Sequence, residues 1–344
     1  MSHSTVSSLG ERALIARITA RLALPPWVVV GPGDDAAVLV PERGALDVLT
    51  TDALVDGVHF DLRFVPPEAA GHRALAANLS DLAAMGAKPR AALLSLLLPD
   101  ALEVAVVDRI LDGLLALAAR YRVALVGGNI TRTPGPLAID VTAIGSVHPR
   151  RILTRAGARP GDEVYVTGSV GDAAIGLRYL RERGSHADDA GPYATGVQRY
   201  LRPEPRVRAG LLLGRNRAAS SCMDLSDGLA DAVRQVSAAS GAGITLDAAA
   251  IPIGPGVREW HARAGSDPME SALGGGDDYE LLFTVRPSHR GRLRAVSTQV
   301  GDLPVTRIGV VTKELDLVVR EASGARDLPQ GYEHFRAAPD ASVE

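Results

Sequence analysis

The chain alternates between two hydrophobic periods. Near the N-terminus, Leu14, Ile15, Ile18 and Leu22 recur at helical spacing and predict an amphipathic helix over about 11–23. Three short β-branched runs follow, at 27–30, 36–40 and 46–51, and read as strands. A long helical stretch runs from Pro67 to Met85, where Gly86 and Pro89 stop it. The continuous apolar run at 91–98 predicts a buried strand, 99–122 a helix and 123–128 a short strand. Residues 137–147 alternate as a strand in a half-covered sheet does.

A break rich in Pro, Gly and Arg falls near 148–161, and the style then repeats. A strand at 163–168 leads into a helix over 171–183, and a loop rich in Gly, Asp and Pro spans 184–192. Helices are expected near 193–201 and 205–217, then the strand "SSCMDL" and a helix from Asp227. The runs "GITLD", "YELLFTV", "VTRIGVV" and "LDLVV" complete the second half as strands. This order predicts an α+β fold of two domains, 1–149 and 150–344, each with a mostly antiparallel or mixed sheet and helices on one side.

Bulk numbers narrow the class. At 344 residues and 46% hydrophobic, the chain can bury real cores. A net charge of −3 offers no basic balance for nucleic acid. Cys222 is the only cysteine, which excludes an intrachain disulfide and a multi-cysteine zinc site. The longest apolar run, "AALLSLLLP", is far short of the roughly 20 residues of a membrane span. The N-terminus reads as a helix rather than a signal peptide, so a soluble cytoplasmic protein is expected.

Aspartates carry the chemistry. They end or interrupt five segments: "GPGDDAAVLV" (31–40), "TTDALVDGVHFD" (50–61), "NLSDLAAMG" (78–86), "DLSDGLADAV" (224–233) and "GGGDDYE" (274–280). Asp beside Gly is common in turns, and Asp227 suits a helix N-cap. Asp81 lies inside an apolar helical stretch, where neither turn nor cap explains it; a carboxylate there needs a partner, a cation or a wet edge. Taken together, carboxylates and hydroxyls without a His/Cys cluster are hard oxygen ligands suited to Mg2+ and phosphate. Metal-clamped phosphoryl transfer fits that set. Neither the P-loop nor the protein-kinase motifs occur. "TGSVGDAAIG" (167–176) opens a helix after a strand, so it is either an anion-binding loop or a plain turn.

The ordered series resembles the thiamine-monophosphate kinase family, in the superfamily of aminoimidazole-ribonucleotide synthetase, selenophosphate synthetase and the hydrogenase maturation factor E. It runs through "LGERALIARI", "GPGDDAAVL", "TTDALVDGVHF", "NLSDLAAMGAKP", "GGNITR", "LTRAGARPGDEVYVTG", "DLSDGLADAV", "GGGDDYELLFTV" and "GYEHF". The resemblance implies ATP as co-substrate, thiamine monophosphate as acceptor, several Mg2+ ions and a homodimer built on the N-terminal sheet. It also implies roles. Asp35, Thr50, Thr51, Asp52, Asp81, Asp224 and Asp227 would hold metal. Gly128, Asn129, Arg155 and Ser226 would meet ATP. His59, Asp277 and Tyr332 would meet thiamine monophosphate. No catalytic base is assigned, because the acceptor phosphate is already a nucleophile at neutral pH.

Two positions depart from the family pattern. Asn129 stands where the better-known members have aspartate, which predicts a raised Mg2+ requirement. Asp277 stands where glutamate is usual. The alternative is a related ATP-dependent enzyme or a catalytically silent nucleotide-binding protein. A selenophosphate synthetase would want a reactive cysteine near the N-terminus, and the only cysteine is Cys222.

Overall fold

A computed structural model describes residues 4–184 and 190–329. The N-terminal unit begins with helices α1 (Val6–Leu9) and α2 (Glu11–Thr19) and a small hairpin, β1 (Val28–Val30) with β2 (Val38–Leu39). It continues with β3 (Leu46–Val55), α3 (Pro67–Ala84), β4 (Lys88–Leu98), α4 (Val104–Tyr121), β5 (Ala124–Arg132) and β6 (Ala138–Val147). These strands form a four-stranded sheet in the order β3-β6-β4-β5, in which only β4 and β5 run parallel.

The C-terminal unit comprises β7 (Glu163–Thr167), α5 (Asp172–Arg183), α6 (Ala194–Leu201), α7 (Val207–Asn216), β8 (Ser221–Asp224) and α8 (Leu229–Ser240). It goes on through β9 (Gly243–Asp247), α9 (Pro255–Ala264), α10 (Pro268–Gly274), β10 (Leu281–Val285), α11 (Arg290–Val300), β11 (Val305–Thr312), β12 (Leu317–Glu321) and β13 (Gly324–Asp327). Its seven-stranded sheet has the order β13-β12-β9-β11-β7-β10-β8, antiparallel except for β9 with β12. The mixed α+β expectation therefore holds.

One expectation is corrected. The C-terminal sheet is covered on both faces. Phe283 and Val285 pack with residues of α5, α6, α7 and α11, whereas Leu282, Val164 and Val166 pack with α8. Every residue of β10 is buried, so period-2 alternation is absent from it. Helices α1, α9, α10 and α11 and strand β13 were not foreseen, and β5 continues four residues beyond the expected strand.

Helix α3 is the spine between the units. It starts at Pro67, where the missing N–H costs nothing, and ends in a Schellman turn. There Gly86, at φ +66, and Ala87 donate to the carbonyls of Ala83 and Leu82. One side of α3 packs on α4 and the N-terminal sheet, and another meets α7 and β8 of the C-terminal unit. A Cβ on Gly210 would lie 1.9 Å from the Ala83 carbonyl, so α7 sits directly on the backbone of α3.

Candidate active site

Strand alternation decides which β3 residues meet α3. Thr50, Asp52 and the buried Leu54 share the helix-facing side. The Thr50 hydroxyl donates to the Asp81 carboxylate, near the C-terminal end of α3. Asp81 therefore has the partner its apolar surroundings demand. One residue earlier, the Ser80 hydroxyl donates to Asp224 at the end of β8, 2.7 Å away. Three carboxylates from β3, α3 and β8 thus meet at the seam between the units.

Their mutual field is visible in their acidities. Asp52 is pushed up to about 6, first by burial and then by Asp81, Asp140 and Asp227. Burial raises Asp81, against the Thr50 hydrogen bond and Arg155. Burial and the charge of Asp81 raise Asp224, which is buried. Anions crowded in this way, with Arg155 the cation acting on both Asp81 and Asp224, form a site that favours added positive charge.

Asp227 belongs here, and its expected capping role is corrected. Helix α8 is capped by Gly228 without a side-chain hydrogen bond. Ser226 and Asp227 instead line a cavity of about 820 Å³, together with His59, Phe60, Tyr200 and Asp277. That volume suits a small organic ligand. The cavity opens beside the carboxylates, since Asp227 lines it and also acts on Asp52.

Other expected residues fall elsewhere. Thr51 points to the opposite sheet face, where its hydroxyl meets Asp140 and Thr142 at 3.1 and 3.0 Å. Gly128 and Asn129 lie on β5, beside a smaller cavity of about 280 Å³ that Asp34 also lines. Gly128 is required there, because a Cβ would come within 1.8 Å of the Leu94 carbonyl. Asp35 is exposed, and among the described residues no hydrogen bond or ion pair joins it to Asp52, Asp81 or Asp224. Tyr332 and the rest of "GYEHF" lie outside the described residues, as does 185–189 within the expected loop.

The segment "GGGDDYE" does not join the carboxylate cluster. Asp277 faces the cavity and pairs with Arg73 at 3.2 Å. Asp278 accepts from the amides of Gly171 and Ala173 at 2.6 and 3.1 Å. The chain's own carboxylate therefore fills the amides of the "TGSVGDAAIG" turn, and the plain-turn reading holds for that loop. Glu280 is 0% exposed and takes Arg206 at 2.7 Å, Arg199 at 2.9 Å and Thr167 at 2.6 Å.

Sequence reasoning missed Arg73, Ser80, Asp140 and Tyr200. Arg73 carried the same signal as Asp81, a charge among alanines and leucines of one helix. Asp140 interrupts an apolar strand in the same manner.

The two α+β units correspond to the two domains of the AIR synthase related proteins. The model of their N-terminal domain matches residues 33–147, and that of their C-terminal domain residues 159–321. Within that class, the chain belongs to the thiamine-monophosphate kinase family. It is 40% identical to the thiamine-monophosphate kinase of Escherichia coli K12 over 330 residues, 95% of this chain and 98% of that one. The crystal structure of thiamine-monophosphate kinase from Stenotrophomonas maltophilia K279a covers 93% of this chain and 97% of its own, at 38% identity and a TM-score of 0.79. A structure described as AaThiL complexed with AMPPCP and TMP covers 97% of this chain and 100% of its own, at 33% identity and a TM-score of 0.75.

Proposed function

We propose that this chain transfers the γ-phosphoryl group of ATP to the phosphate of thiamine monophosphate, yielding thiamine diphosphate and ADP. The observation that carries the reading is near-full-length similarity to thiamine-monophosphate kinases, one of them solved with AMPPCP, which stands in for ATP, and with TMP. A phosphate oxygen of the acceptor bonds to the γ-phosphorus as the bond to the β–γ bridging oxygen breaks. No base is needed, because the acceptor oxygen carries no proton that must leave first.

The donor set fits Mg2+. Asp52, Asp81, Asp224, Asp227 and the Thr50 hydroxyl are hard oxygens, and the upward-shifted carboxyls of Asp52, Asp81 and Asp224 support the reading that this cluster favours a cation. Among the described residues, no three acidic, histidine or cysteine side chains form a complete ion site. Ions held here would therefore draw further ligands from water and phosphate, as Mg2+ commonly does. Bound Mg2+ would supply charge neutralisation between two polyanions. The protein would supply placement: Arg155 and Ser226 toward ATP, with Gly128 and Asn129 on β5 at the opposite edge of the N-terminal sheet from β3, and His59, Asp277 and Tyr332 toward thiamine monophosphate. Thr51, on the far sheet face, and Asp35, exposed in the 31–37 turn, stand apart from this cluster, so any part they take in metal binding would be at a separate ion.

We also propose a homodimer through the N-terminal sheet. Strand β3 is an edge strand of ten residues. Exposed apolar side chains lie on it and on the small hairpin: Leu49, 66% exposed, and Leu46 on β3, and Val29, Val38 and Val40 in the hairpin region. Light scattering should give twice the chain mass, and Leu49→Asp should reduce it to one; a wild-type monomer at micromolar concentration refutes the dimer. The residue ranges 1–149 and 150–344 are proposed as the two domains. Among the described residues no helix is long and apolar enough to cross a membrane.

The test of function is chromatography of purified protein mixed with ATP, Mg2+ and thiamine monophosphate. Equal amounts of thiamine diphosphate and ADP, both lost with EDTA, are expected. ATP binding without product would favour a relative with another acceptor.

A further inference from the structure

We propose that Arg73 is a positioning residue for the acceptor pocket: its buried guanidinium sets the places of His59, Tyr200 and Asp277, and thereby the affinity for thiamine monophosphate. The proposal rests on the kinase reading above.

Arg73 is 1% exposed, on α3, behind the wall of the 820 Å³ cavity and outside its lining. Its fork reaches three separate segments. One amino group donates to the carbonyl of Tyr200, the penultimate residue of α6. The other donates to the carbonyl of His59, in the loop after β3, at 3.3 Å, and pairs with Asp277 at 3.2 Å. The guanidinium also lies 4.2 Å from the centre of the Tyr200 ring, whose hydroxyl donates to the same His59 carbonyl at 3.4 Å. His59, Tyr200 and Asp277 all line the cavity. They come from both units of the chain, and one side chain joins them.

The geometry at Asp277 shows why such a clamp matters. Asp277 and Tyr279 hold φ of +67° and +50°, a region that favours glycine. Backbone bonds to Ser226 and Leu225, the Tyr279 hydroxyl and Arg73 together hold this turn. A carboxylate so held is a fixed hydrogen-bond acceptor on the cavity wall, its charge balanced by Arg73 and its orientation set by that pairing. A planar fork can bridge two carbonyls and a carboxylate at once, which an ammonium cannot do in one plane. Asp81 lies eight residues further along the same helix, about 12 Å at the α-helical rise. Helix α3 therefore spaces the acceptor pocket from the carboxylate cluster.

The experiment uses the full chain with Arg73→Met and Arg73→Lys. Titration calorimetry measures thiamine monophosphate and, separately, AMPPCP with Mg2+; steady-state kinetics gives both KM values. Arg73→Met should weaken thiamine monophosphate binding at least tenfold and raise its KM to match, while nucleotide values stay within twofold. Arg73→Lys, which keeps the charge but loses the fork, should fall between, with at least a threefold loss. If Arg73→Met does not fold, Arg73→Lys decides. Unaltered acceptor binding in a folded variant, equal losses for both ligands, or failure of both variants to fold each overturns the positioning role. Wild-type protein that neither binds nor phosphorylates thiamine monophosphate overturns the kinase reading and this proposal with it. Wild-type activity with an indifferent Arg73 overturns this proposal alone.

Discussion

Replacing Asp52 by asparagine should stabilise the metal-free protein at alkaline pH. Asp52 is half-buried in the field of Asp81, Asp140 and Asp227, and its carboxyl is pushed up to about 6. In the unfolded chain it titrates near 3.9. The folded state therefore holds its proton more tightly, and the associated stability is lost as pH rises from about 4 to about 6. A shift of about two units at 1.36 kcal/mol each is about 3 kcal/mol. Solvent at the rim of the site brings the expectation to roughly 1–3 kcal/mol. At about 2.1 cal/mol/K per residue, this is a rise in Tm of roughly 1–4 °C for Asp52→Asn at pH 8 in EDTA. The same linkage leaves about half the difference at pH 5 and little below pH 4. With Mg2+ and AMPPCP present the order should reverse, because the wild type gains a bound ion that the variant holds less well. Scanning calorimetry at pH 5 and 8, with and without Mg2+, reads all four values. An Asp52→Asn protein no more stable than wild type at pH 8 in EDTA would refute the reasoning.

Three further outcomes are expected. Asp81→Asn should reduce turnover at least a hundredfold, with circular dichroism unchanged; full activity would remove Asp81 from the metal site. Asn129→Asp should lower the Mg2+ concentration at half-maximal rate, and identical half-saturation in the two proteins would show that the missing charge is immaterial. Asp278→Ala should cost about 1–3 kcal/mol in urea unfolding, because the buried amides of Gly171 and Ala173 lose their acceptor; an unchanged midpoint would contradict that cap.

Element type and order were largely legible in the chain, because hydrophobic period and stop signals are local. Pro67 and Gly86 bound α3 as their backbone chemistry requires. Where burial erases the period, legibility fails. Strand β10 is buried on both faces, and the helices covering its second side belong to a layer that no local pattern announces. Asp81 could be singled out from sequence because a charge among alanines needs a partner, and Arg73 could have been found in the same way. Which partner each takes is a different question. Asp81 meets Thr50 from 31 positions away, and Arg73 meets Asp277 from across the seam between units.

The sequence by itself determined the kinds of chemistry available: hard oxygen donors, no metal-binding thiol set, and a series of glycine-broken aspartates. Only the tertiary structure decided which aspartates act together. Asp52, Asp81, Asp224 and Asp227 share one field because β3, α3 and β8 converge. Asp278 and Glu280, alike in sequence, are committed to a helix terminus and two arginines. The physical reason is range: backbone preferences act over a few residues, whereas a carboxylate's role is set by whatever charges and amides the fold brings within a few ångströms of it.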